Sequence, residues 1–545
     1  MKLTIAAIAT LAASTEAGRL FSRRQLDGTY GYGEGEYEMI AGYTPGTQVT
    51  DHCAIDLDQF VIQEQLAFYS DEGVEAARRV YQEGGHSKSY AEVKLSSATT
   101  ADIAKDEAIT GVDDAGAEVT GKAYADYPAG TDTIWVLYTV PDVQADNVKC
   151  KVGGLPEPIL DGCLAAEGSL TVGGVEYAYT YDPETDNNNA RVFVDWSKNA
   201  DTLMLEGCPG CPYKDFKYFY DYYGTHDYAD QYTQAAFNNT ATTFTNGNND
   251  FTDLGFVGKE ETIRKAIAFM NVFMYVIYEF EDGMDMCAAG DVPMSIHEWD
   301  EGVCFFAGSL EGTDGSGVDG VMIHRLIDKR CAEYKTCGEN GDSLEGEAKL
   351  NTDLLALFNQ GKAELEAGDC DAARATLDQI TPKMYIPLIQ GAMSYAYEIA
   401  YFPEAGEKEK AEGATFAAAI LPRIHAIDAD AASTIYDNLN FNAESTDYAA
   451  VKAAFESVYD GLGITCADVG GFYNTTAEAY YEGAEPCGSS TTSTDATTAT
   501  GEAAPADGAP ADAPAAEPVA SPASFAFVAH ALMAMAAGVV GVMIM

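Results

Sequence analysis

Basic side chains are scarce in this 545-residue chain: 31 Lys and Arg stand against 86 Asp and Glu, a net charge of −55. Such a surface repels phosphate backbones, which excludes nucleic acid as a partner, and it gathers cations from solution. Histidine is scarcer still, with seven residues, and one of them, His530, lies in the C-terminal tail. His297-Glu298-Trp299-Asp300-Glu301 begins like the helical motif of zinc proteases, but Glu301 stands where the second histidine is required. The sequence has no G-x-x-x-x-G-K-[ST] loop, no G-x-S-x-G elbow and no faithful D-x-[DN]-x-[DN]-G calcium loop. The chemistry of nucleotide hydrolases, serine hydrolases and zinc proteases is therefore unsupported, and a non-enzymatic role is expected.

The two ends read as targeting and anchoring segments. Lys2, the apolar stretch Leu3–Ala13 and the compact residues before Ala17 predict a signal peptide over 1–17. A Gly- and Tyr-rich irregular leader follows over 18–50. At the other end, 488–523 is a Ser/Thr then Ala/Pro/Asp stalk with nothing to build a core from. Residues 524–545 are apolar to the last position, with no basic stop-transfer residues after them, as in a GPI signal; a C-terminal span is the alternative. Either way the bulk of the chain is expected outside the cell or in the periplasmic space, attached to a membrane through its C-terminal tail. Twelve cysteines, an even number, agree with an oxidising compartment, and Cys208-Pro-Gly-Cys211 reads as a structural disulfide.

Between the ends the chain divides into an N-terminal helix plus β-rich domain over 51–203 and a mainly helical domain over 204–487, an α+β protein. Apolar spacing through Ile55–Tyr81 predicts a helix ended by Gly84-Gly85. AEVKLSS, EVTGKAYADY, DTIWVLYTV, VKCKV, SLTVGGVEYAYTYD and ARVFVDW are short alternating runs separated by turn residues, and predict strands. Lys259–Phe280 predicts a buried central helix, and Thr352–Glu366 with Cys370–Ile380 a helical hairpin capped by Asp369. A candidate internal repeat matches WDEGVCFFAGSL (299–310) with KAEGATFAAAIL (410–421), and MNVFMYVIYEF (270–280) with GAMSYAYEIAYF (391–402).

Tyrosine, histidine and carboxylate co-occur in two places. YFYDYYGTHDYADQY (218–232) carries Tyr222, Tyr223, His226 and Asp227. On a helix, HEWDE places His297 and Glu301 at i,i+4 and Glu298 and Glu301 at i,i+3, so that they can reach one ion. Phenolate and carboxylate oxygens with imidazole form a ligand set that suits ferric iron better than zinc or copper. An aromatic packing face for the tyrosines and a solvated face for HEWDE are the competing readings.

Several passages resemble the algal phytotransferrins, the family of low-iron-inducible periplasmic proteins. They are VYQEGGHSKSYAEVKL (80–95), CKVGGL (150–155), YTYDPETDNNNARVFVDWSKNA (179–200), KDFKYFYDYYGTHDYADQYTQAAF (214–237), HEWDEGVCFFAGSLEG (297–312), RLIDKRCAEYKTC (325–337) and AGDCDAARATLDQIT (367–381). They run in the family's order from about 50 to 470. The resemblance implies Fe3+ capture at the cell surface, carbonate as a co-bound anion, and subsequent iron uptake. The family's E-x-x-E iron-binding motif corresponds here to Glu298–Glu301. Ser87 with Lys88, or the cluster Arg325, Lys329 and Arg330, are the candidate anion partners. The rival is an extracellular acidic adhesion or cell-wall protein whose tyrosines only pack.

Overall fold

The computed structural model describes residues 37, 39–87, 91–105, 107–113, 116–138, 164–181 and 191–488. The expected signal peptide, the stalk and apolar tail, Lys88, and the expected strand VKCKV (148–152) lie outside the described residues. Among the described residues no helix is long and apolar enough to cross a membrane.

Helices α1 (Ile55–Leu66) and α2 (Asp71–Glu83) replace the single helix that the spacing through Ile55–Tyr81 predicts. The break is local chemistry: Tyr69 takes a left-handed φ of 50°, and Ser70 Oγ caps α2 by accepting from Gly73 N at 3.1 Å. A Cβ at Gly73 would lie 2.3 Å from the Gln65 carbonyl, so only glycine permits the tight reversal.

Six antiparallel strands then close a small barrel: β1 (Ala91–Leu95), β2 (Ala108–Val112), β3 (Glu118–Ala123), β4 (Thr133–Tyr138), β5 (Glu167–Val172) and β6 (Val175–Thr180). Their order is β1-β4-β3-β2-β5-β6, and Leu95 pairing with Tyr179 closes the ring. Alternation does the work: along β3 every second residue is buried, and Val93, Ile109, Val119, Ile134, Leu170 and Tyr179 fill the interior. Gly173 and Gly174, both at positive φ, make the two-residue hairpin turn between β5 and β6. The β-rich N-terminal region expected from the sequence is this barrel. β2 is absent from the predicted strands because Gly111 breaks its pattern. That glycine is needed, since a Cβ there would sit 2.6 Å from Leu164 and 2.8 Å from Leu170.

ARVFVDW is a correction. It reads as alternating, yet Phe193–Lys198 is helical (α3). Its buried residues, Phe193, Val194, Trp196 and Ser197, follow helical spacing. Tertiary partners hold it there: Asn271 Nδ2 donates to Phe193 O at 2.6 Å, and Asp230 N donates to Ser197 Oγ at 3.0 Å. β propensity yields when packing decides.

The rest is mainly helical, apart from a short antiparallel pair, Tyr473–Asn474 with Ala479–Tyr480: α4 (Lys214–Tyr223), α5 (Tyr228–Asn238), α6 (Phe256–Ala266), α7 (Phe273–Ala289), α8 (Val292–Ala307), α9 (Ile323–Tyr334), α10 (Lys349–Glu366), α11 (Cys370–Met384), α12 (Ile386–Tyr401), α13 (Glu407–His425), α14 (Ala429–Leu439) and α15 (Tyr448–Leu462). A π-helical turn, Ile267–Val272, joins α6 to α7, so the expected buried central helix runs unbroken through both. Asp369 Oδ1 accepts from Ala372 N at 3.1 Å and caps α11, as expected for the α10–α11 hairpin. The main apolar core unites α1, α2 and these helices, while the barrel keeps its own. Disulfides join Cys53–Cys304, Cys208–Cys211, Cys287–Cys370, Cys331–Cys337 and Cys466–Cys487.

One charged cluster lies inside the helical core. Lys265 Nζ is 2.7 Å from Glu261 Oε2 and 2.5 Å from Glu412 Oε1, and Arg264 also pairs with Glu261. Burial works against the Glu261 carboxylate, but Lys265 and Arg264 outweigh it and hold its pKa well below the usual range. Removing the ammonium leaves the two buried carboxylates to Arg264 and the more distant Lys408. Lys265→Met is expected to destabilise the protein by about 3 kcal/mol, read as a lowered urea midpoint.

Candidate metal centre

The site is built on α8. Asp291 caps the helix by accepting from Met294 N at 3.2 Å, and Pro293 sits in the first turn, where its missing N–H costs nothing. One helical turn then brings His297 Nε2 to 2.9 Å from Glu301 Oε1. The same oxygen lies 2.8 Å from Nδ1 of His52, on the single helical turn Thr50–Cys53. The chain between His52 and α8 is long, and the Cys53–Cys304 disulfide ties the two together beside the cluster. Helix α7 adds Glu279. It can approach closely because Gly283 and Gly302 face the neighbouring helix: Cβ atoms there would lie 3.1 Å from Ser295 O and 2.7 Å from the Phe280 ring.

Two overlapping sets of ligand atoms result, His52/His297/Glu301 and Glu279/Glu298/Glu301, each gathered within 4.8 Å. His52, His297 and Glu279 are 2%, 1% and 1% exposed. Aromatic rings wall the cluster. Phe305 stacks on His52, and Tyr275 lies flat on Trp196 with ring centroids 4.0 Å apart and edge-on to Phe305.

Burying this much negative charge sets its protonation. For Glu301 burial favours the neutral acid, but His52 and His297 outweigh it and hold the carboxylate well below its ordinary range. Glu279 has no such help. Burial, then the charges of Glu301 and Glu298, push it well above the carboxylate range. Burial and Glu301 likewise push Glu298 up to about 8. At neutral pH the metal-free cluster therefore stores protons on Glu279 and Glu298. Burial, then Glu279 and Glu301, hold the Tyr275 phenol well above 10.

Further groups orient these side chains. Asp300 Oδ2 accepts from Gly46 N, Thr47 N and Thr47 Oγ1 at 2.9, 2.8 and 2.7 Å, and Tyr43 donates to Oδ1 at 2.5 Å. Because the Thr47 hydroxyl spends its proton on Asp300, it accepts from His297 Nδ1 at 3.1 Å. Nδ1 thus carries a proton, and Nε2 donates a second one to Glu301, so His297 meets the carboxylate as an imidazolium. The Arg191 guanidinium abuts Nε2 of His52. Ser87 Oγ donates to the His52 carbonyl at 3.3 Å, and Arg191 N donates to Ser87 O at 2.8 Å.

The residues singled out from the sequence divide sharply. His297, Glu298 and Glu301 lie in the cluster, and Ser87 adjoins it. The contacts of the other four run elsewhere. Tyr223 is fully buried and donates to Ala418 O on α13 at 2.7 Å, with its ring against Tyr228 and Phe244. Tyr222 packs edge-on against His425. Burial pushes both phenols up, Tyr223 far above 10. Asp227 accepts from Gln231 Nε2 at 2.8 Å and from the Thr225 hydroxyl, closing the turn before α5. His226 lines a small recess with Trp196 and Met270. In the second anion candidate, Arg330 is engaged by Glu333 and by the Tyr395 and Phe416 rings.

No local pattern points to His52, and Glu279 lies in the stretch Lys259–Phe280 that the sequence shows only as a buried helix. The one signal for His52 is its neighbour Cys53, and it becomes legible only once the partner Cys304 is known. The repeat also gains meaning. Aligning WDEGVCFF with KAEGATFA matches Glu301 to Glu412, and one residue further back Glu298 to Glu409. Glu412 is paired with Lys265, whereas Glu301 is paired with His52 and His297.

These features define a disulfide-bonded α+β protein with a buried cluster of imidazoles and carboxylates of metal-ligand character. The family model for low iron-inducible periplasmic protein matches residues 223–496, half of the chain, and the chain belongs to that family. Membership carries a role in iron assimilation under low iron and a periplasmic or extracellular setting. No curated protein and no solved structure matches the chain.

The disulfide makes a test of positioning. Cys53→Ser with Cys304→Ser is expected to cost about 2–4 kcal/mol of stability. It should also weaken metal binding at the cluster under conditions where the protein remains folded, measured by titration beside a circular-dichroism control.

Proposed function

We propose that this protein binds ferric iron at the His52/His297/Glu279/Glu298/Glu301 cluster, at the cell surface, for uptake, without catalysing a reaction. The observation that carries the reading is the convergence of two imidazoles and three carboxylates in an aromatic-walled core, on a chain of an iron-assimilation family. Such oxygen-rich ligands with imidazole suit a hard trivalent ion. The Tyr275 phenol, turned toward Glu279, is the best placed to become a phenolate ligand.

Carbonate assistance has a physical rationale in the same contacts. While Arg191 donates to His52 Nε2, the ring keeps its proton on Nδ1, facing Glu301. An anion that draws the guanidinium away frees Nε2 to take that proton, leaving the Nδ1 lone pair for the metal. Arg191 and Ser87 are the groups on hand to hold the anion.

Ferric titration of the protein with and without bicarbonate tests this reading. A visible phenolate-to-iron band that needs bicarbonate and is lost in Tyr275→Phe is expected, and no iron uptake at neutral pH would sink the proposal. Glu298→Gln with Glu301→Gln should weaken binding by more than the ~10–100-fold that outer partners of metal ligands are worth. Tyr223→Phe should leave the titration unchanged while costing about 1 kcal/mol of stability for its lost hydrogen bond.

The pH dependence follows from the stored protons. Ligation needs carboxylates, whereas Glu298, pushed up to about 8, is largely protonated at pH 7 in the free protein. Binding therefore releases protons, and affinity should climb as pH rises through about 8, and go on climbing while Glu279 and the Tyr275 phenol still hold protons to release. Calorimetry in buffers of different ionisation enthalpy measures the release.

A further inference from the structure

A second constellation joins the turn after α8 to helix α9 and shares no residue with the cluster described above. It begins with a buried carboxylate. Glu311, at the end of the 3₁₀ turn Ser309–Glu311, is 0% exposed, and neither of its side-chain oxygens accepts a hydrogen bond. An ionised carboxylate in that position costs several kcal/mol unless a cation compensates it. The turn that carries it is held rigidly: Ser309 Oγ and Leu310 N both donate to Asp56 at 2.7 Å. Glu311 is therefore placed by its backbone, not by its own contacts.

Helix α9 supplies two more donors one turn apart, His324 and Asp328. His324 Nδ1 lies 3.3 Å from Glu311 Oε2 and 3.6 Å from Asp328 Oδ2, and it too lacks a hydrogen-bond partner. Asn351 Nδ2 donates to Asp328 Oδ1 at 2.8 Å and to His324 O at 3.1 Å, which leaves Oδ2 pointed at the imidazole. The ring itself stands edge-on to Phe306. The three ligand atoms fall within 4.8 Å of one another. With metal–ligand bonds of about 2.1 Å, tetrahedral ligand atoms sit ~3.4 Å apart, close to the two nitrogen–oxygen spacings here. Short spacing without hydrogen-bond alignment fits lone pairs that converge on a common point.

A cavity of about 280 Å³ adjoins the cluster, lined by His324, Asp328, Asn351 and Tyr43 among others. It provides an approach and room for water in the remaining coordination positions.

We propose that Glu311, His324 and Asp328 form a second cation site, independent of the first, for a divalent first-row transition metal. Two carboxylates and a neutral imidazole cancel the charge of a divalent ion, and this mixed oxygen–nitrogen set suits borderline metals of that series. Ion binding supplies the positive charge that buried Glu311 otherwise lacks.

Cobalt(II) is a suitable probe because its visible absorption reports coordination by protein. The chelator-stripped protein is titrated with Co2+ while absorbance and dialysis stoichiometry are followed. Two variants are compared with it: His324→Gln/Asp328→Asn, and Glu298→Gln/Glu301→Gln, which disables the first cluster. The expected result is one equivalent of Co2+ that persists in the second variant and weakens at least tenfold in the first. Full Co2+ stoichiometry and affinity in His324→Gln/Asp328→Asn overturns the proposal, as does loss of that equivalent only when Glu298 and Glu301 are changed. Glu311→Gln gives an independent reading. Its melting point should no longer rise with Co2+, whereas that of the parent protein does. A Co2+-dependent rise equal to the parent's overturns the assignment. Failure of ferric binding at the first cluster leaves all these outcomes interpretable.

Discussion

Glu301 is a carboxylate held at low dielectric between two imidazoles, and the architecture around it follows from keeping that charge compensated. Two histidines from distant parts of the chain meet on one oxygen. That meeting requires the Thr50–Cys53 turn to lie against α8, which the Cys53–Cys304 bridge and the Asp300 contacts to Gly46 and Thr47 enforce. It also requires α7 to approach α8 closely, which Gly283 and Gly302 allow. The surplus negative charge is absorbed by protons on Glu279 and Glu298, where burial and like charges make ionisation costly. A core so arranged is poised to exchange protons for a cation.

The same chain shows the alternative outcome for a buried carboxylate. Glu412, on α13, is buried as Glu301 is, yet Lys265 and Glu261 complete its neighbourhood. An internal ammonium gives a permanent structural ion pair, whereas imidazoles with protonated carboxylates leave a place that a metal can claim.

The aromatic content serves packing more than ligation. The run YFYDYYGTHDYADQY builds α4, a tight turn and the start of α5, and its buried rings seat α13 through the Tyr223–Ala418 hydrogen bond and the Tyr222–His425 contact. Tyr275, within the buried central helix, is a phenol that lies beside Glu279 and Glu301. Sequence density of a residue type and its chemical use are separate matters, because a helix turns neighbouring tyrosines to different faces.

Local pattern determined a good deal. Strand alternation marked most of the barrel, capping and periodicity marked the α10–α11 hairpin and the central helix, and i,i+4 spacing on α8 joined His297 to Glu301. Those features depend on residues within one or two turns of each other, and sequence records such spacing directly. Tertiary structure decided the rest. It converted ARVFVDW from an apparent strand to a helix through Asn271 and Asp230, brought His52 to Glu301, turned Tyr275 toward Glu279 and Tyr223 toward Ala418, and set Glu311 against His324. Each of these rests on a contact between residues far apart in the chain, formed because the core must fill its volume and compensate its buried charges, and no local periodicity encodes which partners meet.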